Sequence, residues 1–235
     1  MCTVSFVCVD GNAIITHNRD EKVARPAALP PEKYVIGTKN IYFPKDPQAG
    51  GTWYAVTETG VVLVLLNGAE EKHVTKKAYN KSRGLIVLDL ISSNSPFDAW
   101  KTIDLTGIEP FTCVLYQDKN LYQLRWDEVH KTVVLLDTHQ CYIWSSATLY
   151  PKEVRDRRAF LFENFLQHNA ASAASLYEFH RYTKADDPEN GLIINRNNEM
   201  KTLSITQTVI QDNYVVLSYY NLQRQETFTN TFIPN

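Results

Sequence analysis

The chain begins with MCTVSFVCVDGNAIITHNRDE, residues 1–21, and this stretch decides the fold. Two runs rich in apolar and β-branched residues, at 2–9 and 13–17, flank the turn signal DGN at 10–12, a pattern typical of a β-hairpin. Side chains at every second position of a strand share one face, so the Cys2 thiol is predicted to face the interior with its apolar neighbours. The second strand of the hairpin then returns the chain to the edge where Cys2 lies.

A polar cluster, His17-Asn18-Arg19-Asp20-Glu21, ends the second strand and is therefore expected beside Cys2. Removal of Met1 is usual before a residue as small as cysteine, and it would leave Cys2 with a thiol and a free α-amine. Their ordinary pKa values are about 8.5 for the thiol and about 7.7–8.0 for the amine. One residue can then supply both nucleophile and general base, as in N-terminal-nucleophile catalysis.

Apolar spacing and turn residues divide the rest of the chain into short elements. Residues 18–47 are polar and contain five prolines, which predicts an irregular loop with room for one short strand. The clearest helix, 152–168, places one apolar stripe along its length, made of Val154, Phe160, Leu161, Phe165 and Leu166. Further strands are predicted at 52–57, 61–66, 112–117, 121–126, 133–136, 141–144, 203–210, 214–219 and 227–233, and further helices at 83–92, 97–103 and 172–182.

The order of these elements indicates the fold class. Strand hairpins come first, helices lie in the middle, and strand hairpins follow again, without a linker or an internal repeat. This order predicts one α+β domain over residues 1–235, in which helices cover antiparallel sheets.

The composition fits a globular protein and excludes several classes of function. Hydrophobic residues make up 44% of the 235 positions and charged residues 21%, close to the average. With 24 Lys+Arg against 26 Asp+Glu, the net charge of -2 provides no basic field for nucleic acid. No apolar run reaches the roughly 18–20 residues of a membrane helix, and the N-terminus does not resemble a signal peptide. We therefore expect a cytoplasmic protein with no membrane span and no nucleic-acid partner.

The sequence predicts no metal and no cofactor. The four cysteines include no C-x-x-C pair, and the six histidines are scattered without ligand spacing. Motifs for phosphate loops, dinucleotides, zinc proteases and serine hydrolases are absent. Three cysteines, Cys8, Cys113 and Cys141, are interpreted as small buried apolar residues.

Three motifs together resemble a known family. The quartet at 18–21, the Met-Cys start and Gly50-Gly51-Thr52-Trp53 look like the NRDE family, also called transport and Golgi organisation-like, and segments at 65–68, 81–85 and 206–209 support the match. The resemblance implies a four-layer α/β/β/α sandwich of two mostly antiparallel sheets, of the N-terminal-nucleophile hydrolase type. Similar folds in bile-salt hydrolases, penicillin V acylases and ceramidases start with Met-Cys and cleave carbon–nitrogen amide bonds.

The resemblance also implies four catalytic roles. Cys2 resembles the nucleophile, and Asp20 resembles the carboxylate that orients the α-amine through a charge-assisted hydrogen bond. Asn67 resembles the amide that stabilises the oxyanion of the tetrahedral intermediate. Arg19 is the fourth candidate, as an anion clamp or a stabiliser of the thiolate.

Four further residues are candidates for substrate binding. His17 stands where the amidases have arginine, and Asn18 follows it. Ser146 stands where they carry a second active-site asparagine. Ile205 is not a candidate, and it stands where many relatives have an arginine before the last sheet. Trp53 is expected either to line an apolar pocket or to pack in the core.

The sequence therefore favours an N-terminal-nucleophile cysteine hydrolase that acts on the amide bond of a small substrate. The alternative is a non-catalytic protein of the transport and Golgi organisation type, which keeps the fold and uses the cleft to bind or handle a small ligand. Substrate identity and oligomeric state are not specified by the sequence.

Overall fold

The computed structural model describes residues 2–233. They form two compact units: the residues up to Arg25 join His139–Phe232 in the first, and Pro26–Thr138 with Ile233 make up the second. Each unit is an antiparallel sheet with two helices. The α+β class with antiparallel sheets is thereby confirmed, whereas one domain over residues 1–235 stays a prediction.

The elements follow in chain order along the described residues. They are β1 (Cys2–Val9), β2 (Asn12–Lys22), β3 (Leu29–Ile36), β4 (Lys39–Lys45), β5 (Tyr54–Thr57), β6 (Val62–Asn67), α1 (Arg83–Ser92), α2 (Pro96–Thr102), β7 (Phe111–Gln117), β8 (Asn120–Trp126), β9 (Lys131–Leu136), β10 (Tyr142–Ser145), α3 (Lys152–His168), α4 (Ala173–Tyr182), β11 (Asn195–Arg196), β12 (Met200–Ile210), β13 (Val215–Asn221) and β14 (Glu226–Phe232).

The first unit is built on the N-terminal hairpin. Its strand order is β10-β1-β2-β12-β13-β14, and β11 pairs with β12. Both helices of this unit, α3 and α4, contribute to one apolar core with the hairpin strands, which consists of Val7, Ile14, Phe162, Leu176, Phe179 and Leu192. Residues far apart in sequence are thus brought beside β1 and β2.

The hairpin turn sets the register of β1 and β2. Asp10 and Gly11 have φ values of 50° and 78°, the left-handed conformation that a two-residue type I′ turn requires at both positions. Strand pairing then aligns Cys2 with Arg19 and Thr3 with Asn18. This register decides which side chains accompany the Cys2 thiol.

The second unit is a meander in which β3 to β9 pair in sequence order. The predicted loop at 18–47 is wrong, because β2 continues to Lys22 and β3 and β4 form a hairpin. Pro30 and Pro31 lie in β3, which is an edge strand. Proline is tolerated there because an edge strand leaves N–H groups without a ladder partner.

Most of the other predicted elements are confirmed with small shifts at their ends. The helices at 83–92 and 152–168 have the predicted bounds, whereas the short strand β11 was not predicted. On α3 the predicted stripe is wrong at Phe160, which is 67% exposed. The buried residues of this helix are Arg158 and Phe162. No helix in the described part of the chain has the length and apolar character needed to cross a membrane.

The Gly-Gly-Thr-Trp motif is a packing point of the second unit. A Cβ atom at Gly51 would lie 2.4 Å from the carbonyl carbon of Gly84 at the start of α1. The Thr52 N–H donates to the Gly84 carbonyl at 3.1 Å, and the Thr52 hydroxyl donates to the Pro44 carbonyl at 2.7 Å. Glycine is required at 51 because two backbones meet there.

Replacement of Gly51 tests this contact. We expect Gly51→Ala to lower the free energy of unfolding by about 3 kcal/mol, the upper range for overpacking, because backbone atoms must move apart. Gly37→Ala is the matched control, since Gly37 has a φ of 62° but open space around it, and alanine there costs about 1 kcal/mol of backbone strain. Urea unfolding measures the free energy of unfolding of both variants and of wild type. An equal loss in the two variants would contradict the packing account.

Candidate active site

Cys2 is the first residue of β1 and is 3% exposed. Its backbone carbonyl accepts a hydrogen bond from the Ser146 N–H at 2.9 Å, just after β10. Burial raises the pKa of the Cys2 thiol, the negative charge of Asp20 raises it further, and the positive charge of Arg19 lowers it. The structure thus brings Ser146 beside Cys2, as well as the charged residues of β2.

Arg19 lies directly across from Cys2 in the register of β1 and β2. Residues opposite one another in antiparallel strands point to the same face, so thiol and guanidinium share one side of the sheet. Arg19 is 3% exposed, and its Nη2 lies 3.8 Å from Glu21 Oε2. His17 lies two residues before Arg19 in β2 and so shares this face. Burial holds the pKa of the His17 imidazole well below its usual value.

Asp20 points to the other face of β2, where its carboxylate is fully buried. Its two oxygens accept hydrogen bonds from Tyr150 Oη at 2.6 Å and from Thr202 Oγ1 at 2.7 Å. The pKa of Asp20 is raised overall, because burial outweighs the lowering by the positive charge of Arg158 and by the two hydroxyl donors. An irregularity in β12 between Thr202 and Ser204 lies opposite this point.

The side-chain amide of Asn18 makes its hydrogen bonds to other residues of the first unit. Its Nδ2 donates to the carbonyls of His180 and Leu192, at 3.0 Å and 2.7 Å, and its Oδ1 accepts from His180 Nδ1 at 2.7 Å. His180 Nε2 then accepts from the Ser5 hydroxyl at 2.7 Å. The fully buried amide thus makes hydrogen bonds with all its polar atoms inside the fold, and its predicted role in substrate binding stays a prediction.

The sequence interpretation missed a buried arginine on α3. Arg158 Nη1 donates to the hydroxyls of Thr3 at 2.5 Å and Ser145 at 3.3 Å, and Nη2 donates to the Gly191 carbonyl. Its guanidinium lies 3.7 Å from the centre of the Tyr150 ring. A signal was present, because a spacing of four residues from Val154 and to Phe162 puts Arg158 on the buried stripe.

Asn67 and Trp53 belong to the second unit. Asn67 is half-buried at the end of β6 and pairs with Phe111 of β7. Trp53 is buried, and its carbonyl accepts from the Leu65 N–H at 2.9 Å. Their predicted roles toward Cys2, as oxyanion donor and pocket wall, stay predictions.

Among residues 2–233, no group of three or more His, Cys, Asp or Glu side chains is arranged so that it could hold a metal ion. The other cysteines differ from one another. Cys113 is buried as expected, Cys8 is half-buried, and Cys141 is exposed because it precedes the edge strand β10. The expectation that all three are buried is therefore wrong for Cys141.

Comparison with known proteins agrees with this architecture. Residues 1–214 match the family described as Transport and Golgi organisation 2. A variant of conjugated bile acid hydrolase from Clostridium perfringens matches with a TM-score of 0.65 at 10% identity, covering 98% of this chain and 92% of that one. An N-acylethanolamine-hydrolyzing acid amidase (NAAA) ortholog from Caenorhabditis elegans has a TM-score of 0.58 at 11% identity, covering 88% and 92%. No curated protein sequence matches the chain. These likenesses confirm the N-terminal-nucleophile hydrolase fold predicted from the sequence.

The Asn18–His180–Ser5 chain of hydrogen bonds makes a pH prediction. Burial first, and the charge of Arg158 second, lower the pKa of His180 from 6.5 to about 3. Between these values the unfolded state binds one proton more than the folded state, so stability falls as the pH falls. We expect His180→Gln to flatten this dependence by about 1.4 kcal/mol per pH unit.

Urea unfolding from pH 7 to pH 4 measures that slope. His130→Gln is the matched control, because the side chain of His130 is 73% exposed, and it should leave the slope unchanged. Identical slopes in wild type and His180→Gln would show that His180 is not held neutral by the fold.

Proposed function

The chain belongs to the Transport and Golgi organisation 2 family, and from that premise we propose that it is an N-terminal-nucleophile cysteine hydrolase acting on the amide bond of a small substrate. Cys2 is the nucleophile in this proposal. The observation that carries it is the register of the first hairpin, which pairs Cys2 with Arg19. A buried guanidinium across from a thiol favours the thiolate form.

The likeness to solved structures supports the proposal at the level of fold. Both proteins reported above are hydrolases by name, and one is named an amidase. A fold alone does not determine an activity. Catalysis is therefore proposed from Cys2 and the charged groups around it.

The proposed reaction begins with removal of Met1, which frees the α-amine of Cys2. The amine takes the thiol proton, and the thiolate adds to the substrate carbonyl carbon to give a tetrahedral intermediate. The resulting ammonium returns the proton to the leaving nitrogen as the carbon–nitrogen bond breaks, which leaves a thioester on Cys2. Water then hydrolyses the thioester, releasing a carboxylic acid and restoring the thiol.

Other residues receive supporting roles in the proposal. Asp20 holds the α-amine, and Arg19 either stabilises the thiolate or binds an anionic group of the substrate. Asn67 donates to the oxyanion, a role worth about 2.7–4 kcal/mol where such donors have been removed elsewhere. Substrate binding is assigned to His17, Asn18, Trp53 and Ser146, and cytoplasmic residence completes the proposal.

Two observations favour the alternative of a binding protein without catalysis. Burial raises the pKa of the Cys2 thiol, and a protonated thiol is a poor nucleophile. Two positions where related amidases carry polar active-site side chains are also changed, to Ser146 and to the fully buried Ile205. In this alternative the same small-molecule partner is bound but not cleaved.

A screen for amide hydrolysis separates the two functions. Intact mass first establishes whether Met1 is absent, and the protein is then incubated with a panel of N-acyl amino acids, simple amides and lactams. We expect hydrolysis of at least one class by wild type and its loss in Cys2→Ala. Cys2→Ser should retain only a trace, because an alcohol is the poorer nucleophile near neutral pH.

The control variant is Cys141→Ser, which removes an exposed thiol and should leave activity unchanged. Retention of Met1 with no hydrolysis, or full activity in Cys2→Ala, would reject the nucleophile. Substrate binding without turnover would support the binding protein instead.

A further inference from the structure

We infer that Tyr150 and Thr202 are positioning residues, whose hydroxyls fix the buried carboxylate of Asp20 at the strand end next to Cys2, with Arg158 as the positive charge that compensates it. The inference deepens the proposed function and rests on it, because it assigns the control of the site to residues that do not touch substrate. The observations behind it are the hydrogen bonds to Asp20, the burial of Asp20 and Arg158, and the opposite charges of these two side chains, all in the first unit.

Tyr150 is the direct contact to Asp20. It is fully buried just before α3, and its hydroxyl donates to one carboxylate oxygen at 2.6 Å. Thr202 of β12 donates to the other oxygen at 2.7 Å. With a donor on each oxygen, the two bonds favour the ionised form against the effect of burial, and they fix one orientation of Asp20.

Arg158 provides the positive charge that this buried anion needs. Its positive charge lowers the pKa of Asp20, while its hydrogen-bond acceptors include the neutral hydroxyls of Thr3 and Ser145 and the neutral carbonyls of Asn190 and Gly191. Its guanidinium stacks 3.7 Å from the centre of the Tyr150 ring, on the residue that contacts Asp20. Both charges are fully or almost fully buried. A buried charge is costly unless an opposite charge compensates it, and each of these compensates the other across the tyrosine.

The same arginine holds the chain on both sides of Cys2. Thr3 follows Cys2 in β1, and Ser145 precedes Ser146, whose N–H donates to the Cys2 carbonyl at 2.9 Å. The Thr3 and Ser145 hydroxyls also lie 3.1 Å apart. Arg158 therefore ties β1 to β10 at the residue pair next to the thiol, while Tyr150 fixes the carboxylate on β2.

The groups that determine the charge at this site come from five parts of the first unit, one of which is β11, where the guanidinium of Arg196 lies 5.5 Å from the centre of the Tyr150 ring. Arg19, Asp20 and His17 lie on β2, and Arg158 lies on α3. Tyr150 precedes α3, and burial keeps the pKa of its phenol well above the usual value, so the hydroxyl stays a donor. Thr202 on β12 does not titrate. Removal of either hydroxyl should thus act on Asp20 without removing a charge.

The first measurement is the titration of the Asp20 carboxyl carbon by NMR, in full-length protein labelled at aspartate. The Asp20 signal is identified by its absence in Asp20→Asn. Loss of a donor to the ionised form raises the midpoint, and we expect an increase on the order of one pH unit in both Tyr150→Phe and Thr202→Val. Tyr150→Phe keeps the ring under Arg158, and Thr202→Val keeps the shape of the side chain.

The second measurement is the rate of Cys2 alkylation by iodoacetamide, read by peptide mapping relative to the exposed Cys141. We expect Tyr150→Phe to change this rate in the same direction as Asp20→Asn. The double variant should react within about twofold of Asp20→Asn alone, because two changes that act through one group are not additive. Arg157→Lys is the matched control for both measurements, since Arg157 precedes Arg158 on α3 but its side chain is 54% exposed.

The outcomes distinguish the inference from the proposed function. An unchanged Asp20 midpoint in both hydroxyl variants, or an effect of Tyr150→Phe on Cys2 that persists in full beside Asp20→Asn, would overturn the positioning role. A tyrosine with only a structural part would lower the melting temperature without moving either readout. Absence of amide hydrolysis rejects the proposed function, and the titration still decides whether the two hydroxyls hold Asp20.

Discussion

The pairing of Cys2 with Arg19 across the first hairpin is the constraint on which the site depends. It follows from a two-residue turn at Asp10 and Gly11, whose φ values of 50° and 78° match the twist of the strands. A shift of one residue would turn every side chain of β2 to the opposite face. The guanidinium would then leave the thiol, and the carboxylate of Asp20 would leave Tyr150 and Thr202. The register of β1 and β2 therefore determines both the packing of the hairpin and the neighbours of Cys2.

The helix side of this hairpin is unusually polar for a buried layer. Asp20, Asn18, His180 and Arg158 are all almost completely buried, and such groups are tolerated only when their hydrogen bonds are made within the protein. The Tyr150 and Thr202 hydroxyls donate to Asp20, and the Leu192 and Gly191 carbonyls accept from Asn18 and Arg158, which meets this requirement. A layer of this kind fixes orientation more than it adds stability, because breaking one partner leaves a buried group unsatisfied. This property suits the role proposed for Cys2, in which the thiol at the end of β1 must be held in one orientation.

Much of the architecture could be predicted from the sequence because its signals are local. The hairpin, the helix bounds at 83–92 and 152–168, and the family resemblance are all read from adjacent residues. The β3–β4 hairpin could not be, since prolines that argue against a strand are acceptable only after its place at the sheet edge is known. The network around Asp20 was also inaccessible. Thr202 is 182 residues away from Asp20, and only strand pairing brings the two together.

The central claim is that Cys2 forms a covalent acyl intermediate, and trapping that intermediate tests it most directly. The protein is incubated with an amide substrate or an activated acyl ester of the same acid, quenched in acid, and analysed by intact mass and peptide mapping. The account predicts a chain without Met1 that carries one acyl group on Cys2, removable by hydroxylamine and absent in Cys2→Ala. A chain that retains Met1, or an acyl group found on Cys141 and never on Cys2, would contradict it.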